Sequence, residues 1–300
     1  MSQEYHREQA IRAREIYIQS RAPDRDALRW TAWLDETRAL IEAALGASNY
    51  LRDVQAALLA RGEFARVFRH VLLPPLSQDQ LELCYPAWSK SSEKPDGPAC
   101  SQAGAQAFAR AVSERRSKAL TPWLDASREP TASEVEQLVW SVAPLIASQS
   151  FATEMRNRIS REQEQSVITI LEANQWVKLR SSLLDTRAAL KPKHYMHKTR
   201  FATATATAQE VDIALGLNGT VVMAMECKVT NDETNSVKRV NDVLKKARAW
   251  KEHWGSFVRT AALLQGVIAE KDVVRLLDAE VEVFWSHDLA RFEAWIAAQT

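Results

Sequence analysis

The sequence predicts an α+β (α/β) fold, a mixed sheet flanked by helices with an all-helical N-terminal region, and three observations predict it. Apolar residues of the first half recur at helical spacing. Beyond about Trp176 the period changes from that of a helix to that of a strand, in four short segments rich in Val, Ile, Leu and aromatic residues. One tight-turn signal and two helical patterns separate those segments, so the second half reads helix, strand, strand, helix, strand, helix, strand, helix. The division is placed at residue 150, with a helical region over 1–150 and a sheet-containing domain over 151–300.

Three or four helices are expected from about Tyr5 to Leu73. In DALRWTAWLDETRALIEAAL the residues Leu28, Trp30, Trp33, Leu34, Leu40, Ile41 and Leu45 make one broad stripe. The run LLPPLS breaks the pattern. Residues 84–104, CYPAWSKSSEKPDGPACSQAG, then read as a long loop of the kind that is often functional or mobile. Helices resume in AQAFARAVSERRSKALTPWL and in SEVEQLVWSVAPLIASQ, where Ser133 and Glu136 have capping-box spacing, and again over 160–176. The strand-like segments are EVDIALGL, TVVMAMECKV, RTAALLQGVI and VEVFWS. Between them lie SVKRVNDVLKKARAWKEHW, closed by Gly255, and EKDVVRLLDAE, and DLARFEAWIAAQ makes a last helix.

With 300 residues and 46% hydrophobic content the chain can bury a substantial core. A net charge of +1 excludes a generally basic nucleic-acid binder, so any claim on DNA rests on local charge and on a site. The three cysteines, Cys84, Cys100 and Cys227, show neither disulfide nor zinc spacing. A polar N-terminus and the lack of a long apolar run predict a soluble, cytoplasmic protein with no membrane segment.

The chemistry is concentrated in TVVMAMECKV. Both faces of this strand are apolar until its end, where Glu226 and Lys228 share one of them. A strand apolar on both faces is central, and an unpaired charge there costs several kcal/mol, so the pair must meet each other, water or a ligand. In the preceding strand Val211, Ile213, Leu215 and Leu217 fall on one face, and Glu210 and Asp212 on the other. Asn218-Gly219 joins the two strands as a hairpin signal. A plain two-residue turn would set Asp212 and Glu226 on opposite faces. A three-residue loop with left-handed Gly219, pairing Gly216 with Thr220, would put Asp212, Glu226 and Lys228 together. Two carboxylates with a lysine suit a hard divalent cation: Asp212 and Glu226 as oxygen ligands of Mg2+, Lys228 beside the attacked phosphate.

This D-x13-E-C-K pattern, on a hairpin followed by a helix, resembles the PD-(D/E)XK nuclease superfamily, with Val211 where the pattern often has proline. The segments PPLSQDQ, PAWSKSSEK, ERR, QEVDIAL and MECKVTNDETNSVKRVNDVLKKARAWKEHWG resemble the XamI-type type II restriction endonucleases. The resemblance implies a restriction-endonuclease-like fold and Mg2+-dependent, sequence-specific cleavage of double-stranded DNA. It carries Asp212, Glu226 and Lys228 over as catalytic residues and implies a cognate DNA methyltransferase in the same system. Cutting both strands of a symmetric site favours a homodimer. A repair or structure-specific nuclease of the same fold, or a DNA-binding module without catalysis, remains an alternative.

Candidate DNA contacts are Arg115 and Arg116, Lys90 in the long loop, Lys198 and Arg200 before the Asp212 strand, and Lys238 and Arg239 at the start of the following helix. Against them stands the plain reading that charged helix faces are solvated. Glu162 or Glu164 on the helix before the hairpin, and Glu210, are further candidate ligands. His194 and His197 lack a third ligand nearby and read as exposed loop residues. Cys227 reads as an inert buried thiol and Trp88 as an anchor of its loop.

Overall fold

The computed structural model describes residues 2–21, 23–186 and 190–299, with backbone alone for residues 23–25. It contains two compact units, residues 23–154 and residues 155–300 with 1–22. The first is all-helical: α2 (Pro23–Ala47), α3 (Val54–Ala60), α4 (Ala65–Arg69), α5 (Gln78–Cys84), α6 (Gln102–Arg115), α7 (Pro122–Asp125) and the first part of α8 (Ala132–Ala173). The second holds α1 (Gln3–Ser20), the rest of α8, the strands β1 (Val177–Lys178), β2 (Leu183–Leu184), β3 (His194–Phe201), β4 (Gln209–Gly216), β5 (Val222–Thr230), β6 (Val258–Gly266) and β7 (Val281–Trp285), and the helices α9 (Glu233–Trp254), α10 (Glu270–Asp278) and α11 (Leu289–Ala297).

Two boundaries differ from the sequence reading. Helix α1, assigned to a helical region ending at 150, belongs to the sheet unit. Its Ala10 and Ala13 are buried with Leu264 and Val273, its Tyr5 hydroxyl donates to Asp288 Oδ2 at 2.8 Å, and Trp285 Nε1 donates to His6 Nδ1 at 3.1 Å. The two helices read over 133–149 and 160–176 are one helix of 42 residues, because SFATEMRNRI between them contains no breaker and Pro144 is accommodated within the helix.

In the helical unit the core gathers Ile41, Leu45, Phe68, Trp88, Phe108 and Trp123. The long loop is pinned rather than loose. Trp88 is fully buried edge-on to Phe108, and Glu93 is buried in an ion pair with Arg69 at 2.8 Å. Arg69 also donates to the Leu76 carbonyl at 2.9 Å, so the buried carboxylate and its partner are both anchored.

The sheet runs β1-β3-β4-β5-β6-β7, with β2 also on β3. Strands β3, β4 and β5 are antiparallel neighbours, whereas β5, β6 and β7 are parallel and joined through α9 and α10. One face, with Met223, Met225 and Leu263, packs on Val167 and Leu171 of α8 and on Phe292 of α11. The other packs on α9: Val222 and Ala224 meet Trp250 and Trp254, while Ala262 and Leu264 meet Val240 and Val243. β5 is thus covered on both sides, as its apolar run requires. Sequence alone left out β1, β2 and β3. In β3, HYMHKTRF, polar residues alternate with buried ones and find partners inside the unit, so the segment looks like a loop until those partners are known.

Candidate active site

The loop between β4 and β5 decides whether Asp212 reaches Glu226. Pairs Gly216↔Val222, Leu215↔Met223, Ala214↔Ala224 and Ile213↔Met225 fix the register, and Leu217 N–H donates to the Val221 carbonyl at 2.8 Å. The loop therefore has three residues, Asn218 to Thr220, with both Gly219 (φ 69°) and Thr220 (φ 62°) left-handed. This is not the expected Gly216–Thr220 pairing but lies two residues from it. An even shift preserves the face, and continuing the ladder would set Asp212 directly across from Glu226.

The ladder stops there. Beyond Ile213↔Met225, β4 pairs only with β3 and β5 only with β6, so the two strands fork. Asp212 bridges the opening: its Oδ2 accepts from the Cys227 N–H at 2.8 Å, replacing the next rung with a side chain. Beside it, Lys198 has a left-handed backbone (φ 55°) at the position across from Asp212. The inside–outside alternation reverses at this point. Met196 and Ala214 lie against Trp250 and Trp254, and so do Phe201 and Val211, an odd number of residues away. Val211 is consequently on the α9 face, not with Ile213 and Leu215 as strict alternation placed it.

Glu226 and Lys228 continue the face of Val222 and Ala224 toward α9, and α9 answers with charge. Lys228 Nζ lies 2.7 Å from Glu226 Oε2 and 3.0 Å from Asp242 Oδ2. Lys246 Nζ donates to the same Glu226 Oε2 at 2.8 Å and to the Glu210 carbonyl, freed by the fork, at 2.9 Å. Glu226 is fully buried, and its Oε1 has no partner. Burial pushes the Glu226 carboxyl up, opposed by Lys228 and Lys246. Lys228 rises despite its burial because Glu226 holds its proton. The Cys227 thiol is pushed well up by burial and is inert.

Glu164 of α8, nearly fully buried, completes the cluster. Its Oε2 is 2.8 Å from His197 Nε2, and its Oε1 accepts from Lys198 Nζ at 2.5 Å; that ammonium also reaches Asp212 Oδ1 at 3.1 Å. Burial would lower the Lys198 pKa, but the contacts with Glu164 and Asp212 outweigh it and raise the ammonium above its ordinary value. Of the two acidic candidates on this helix, Glu164 is thus at the site, whereas Glu162 is exposed and pairs with Arg158 at 3.8 Å. Glu210 presents its carbonyl, not its carboxylate, to Lys246. His197 is a strand residue on Glu164 rather than an exposed loop histidine, and His194 Nδ1 lies 2.9 Å from the Pro192 carbonyl.

Two clefts open on Asp212. One, of about 280 Å³, is lined by Arg156, Ser160, Lys228, Asn231, Asn235 and Arg239; the other, of about 290 Å³, by Ser181, Ser182, Lys198, Thr199, Arg200 and Glu210. Of the expected DNA contacts, Lys198, Arg200 and Arg239 therefore line the site, and Lys238 is exposed one residue before Arg239. In the helical unit Arg115 donates to the Tyr85 hydroxyl at 3.2 Å. Arg116 is mostly buried and holds Asp125 at 2.5 Å and Thr121 Oγ1 at 2.8 Å, which ties down α7. Lys90 pairs with Asp79 at 2.6 Å. The residues missed by sequence reasoning are Lys246 and Asp242. Their only signal was that they lie four residues apart on α9, whose charged face reads as solvated until its strand partners are known.

Among the described residues no group of three or more His, Cys, Asp or Glu forms a ready-made metal cage. The donors present still fit magnesium, which needs one or two carboxylates and fills its other positions with water and phosphate oxygens. Asp212 and Glu226 are hard oxygen donors, and Glu226 Oε1 is a buried acceptor without a hydrogen-bond partner, which suits such an ion.

The family model described as XamI restriction endonuclease matches residues 49–285. A curated relative, "Type II restriction enzyme XamI" of Xanthomonas campestris pv. amaranthicola, is 32% identical over 136 residues, which are 45% of this chain and 48% of that one. The match thus spans about half the length of that relative. The crystal structure of protein VC1899 from Vibrio cholerae aligns over 89% of this chain and 57% of its own, with 11% identity and a TM-score of 0.34, a likeness too loose to carry an argument.

Proposed function

Since the chain belongs to the XamI restriction endonuclease family, we propose that it is a type II restriction endonuclease, hydrolysing phosphodiester bonds of double-stranded DNA at a specific sequence with Mg2+ as cofactor. The observation that carries this reading is the convergence of Asp212, Glu226 and Lys228 where β4 and β5 part, at the mouth of two clefts lined with basic and hydroxyl side chains.

Asp212 and Glu226 would hold the metal, which when bound would supply Lewis-acid polarisation of the scissile phosphate. Lys228, kept charged by Glu226 and Asp242, donates to the attacking oxygen or to the phosphate as charge builds in the transition state. Glu164 and Lys198 fix the free edge of the Asp212 carboxylate. Arg239 and Arg200, on either side, hold neighbouring backbone phosphates, and Lys238 adds to the same field. Glu226 is fully buried, and Lys228 and Lys246 hold its carboxylate in one orientation.

A restriction role adds that the enzyme acts in the cell interior against foreign DNA, works as a homodimer on a symmetric site, and is accompanied by a methyltransferase protecting host sites. No helix among the described residues is long and apolar enough to cross a membrane. The test is digestion of phage or plasmid DNA with the purified chain and Mg2+, followed by end mapping. Discrete fragments with uniform ends support the proposal. A smear points to a repair or structure-specific nuclease, and retention of DNA without cleavage to a binding module; either overturns it.

A further inference from the structure

We propose that the Lys198 ammonium stands in the place of a second metal ion, so that the site takes a single divalent cation and completes its charge with a lysine. The inference rests on the metal reading of Asp212 and Glu226 and adds the number of ions and the group that sets it.

Two-metal phosphodiester sites clamp the attacking and leaving oxygens between two ions, and a second ion needs a pair of hard carboxylate ligands beside the first. Here Asp212 and Glu164, from a strand and a helix, make such a pair, with His197 on the second oxygen of Glu164. Lys198 Nζ occupies the space between them, 2.5 Å from Glu164 Oε1 and 3.1 Å from Asp212 Oδ1. A buried ionised carboxylate demands a counter-charge, and Glu164 receives it from the chain itself.

The backbone indicates that this placement is not incidental. Lys198 has φ 55°, a left-handed conformation that is unfavourable for a residue with a Cβ. Glycine would make the same kink without that strain, so the kink alone does not call for lysine. The kink reverses the alternation of β3 at the fork and brings the ammonium to the Asp212 edge. Lys198 and Lys228 moreover line different clefts, while Asp212 lines both. One cation of the chain therefore stands on each side of the proposed metal ligand.

The test titrates the full chain with Mn2+ and counts bound ions by electron paramagnetic resonance of the free ion, a readout independent of cleavage. Wild type and Lys198→Arg should bind one ion per chain. Lys198→Met, which keeps the length and removes the charge, should bind two, and Lys198→Met with Glu164→Gln should return to one. The side chain of Lys198 is 55% exposed, so the variants are expected to fold, which circular dichroism checks. Two ions in wild type, or one in Lys198→Met, would overturn the inference while leaving the metal reading intact. No ion in any form would overturn both.

Discussion

Lys246 of α9 and Glu226 of β5 meet at 2.8 Å, twenty residues apart in the chain, and Lys246 shares with Lys228 a single oxygen of that buried carboxylate. This relationship explains how Glu226 stays in place with no access to water. It also frees Lys228: the ammonium can turn toward a phosphate without leaving Glu226 unpaired. Replacing Lys246 by Met should cost up to about 3–5 kcal/mol of stability, the range for removing one partner of a buried ion pair, with Lys228 left to offset part of it. Glu226→Gln made in the same background should recover part of that loss. A double-mutant cycle in urea reads the coupling, and strictly additive losses would refute it.

Catalysis should separate from folding at the three carried-over positions. Asp212→Asn, Glu226→Gln and Lys228→Met are each expected to lower the cleavage rate by roughly 10²–10³-fold or more, the scale of losing one transition-state contact. His194→Ala should leave it unchanged, since that ring contacts only the Pro192 carbonyl among its described polar partners. Single-turnover digestion alongside thermal unfolding distinguishes the two groups. Wild-type rates in Glu226→Gln would remove it from the site.

The basic residues divide in the same way. Arg239 and Arg200 line the clefts at Asp212, so their alanine variants should weaken DNA binding and each reduce the salt dependence by about one counterion. Arg116 is committed to Asp125 and Thr121, so Arg116→Ala should lower the unfolding temperature and leave the salt slope unaltered. Binding isotherms at several salt concentrations, measured with Ca2+ in place of Mg2+, provide the comparison.

What the sequence made legible follows from the range of the interactions. The face of Glu226 and Lys228 is a local matter of strand alternation, and the apolar run around them announces a central strand. The helix–strand order from α8 to α11 rests on the same local periodicities. Lys246 and Asp242 were invisible because their partners come from another element, and an exposed-looking charge pattern on α9 is equally compatible with solvent. β3 was lost for a related reason: its His197 and Lys198 are satisfied by Glu164 and Asp212, which only the folded chain supplies. The place of α1 depends on contacts that span nearly the whole chain, among them Tyr5 with Asp288 and His6 with Trp285.

That N-terminal attachment carries a pH signature. Burial, reinforced by nearby positive charge including Arg291, lowers the His6 pKa from 6.5 to about 4. A depressed histidine binds its proton more readily when unfolded, so its contribution is complete above pH 6.5 and is lost as pH falls through about 4. The difference amounts to up to about 3 kcal/mol. Glutamine accepts from Trp285 Nε1 without titrating. The stability of wild type relative to His6→Gln should therefore rise with pH across that window, as chemical denaturation at a series of pH values would show. A constant difference would mean that His6 is not held neutral by its burial.

The Asn218–Thr220 loop sets the register on which the site depends, and it does so with a β-branched residue in a left-handed conformation. Thr220 at φ 62° lacks the freedom that Gly219 enjoys at 69°. Thr220→Gly should accordingly stabilise the chain by about 1 kcal/mol and leave cleavage intact, whereas Gly219→Val should destabilise it by a similar amount. Deleting Thr220 is the sharper change. It leaves Asn218-Gly219 as a two-residue turn between Leu217 and Val221, which stay paired, so the β4–β5 register and the common face of Asp212 and Glu226 are retained. The β5–β6 pairing and the cover of α9 hold β5 where it is, and β4 has no reason to slip along it. Cleavage should therefore persist in the deletion variant with helix content by circular dichroism unchanged. Cleavage lost to the level of Asp212→Asn in a folded deletion variant would show that the loop places Asp212 by more than the register of this hairpin.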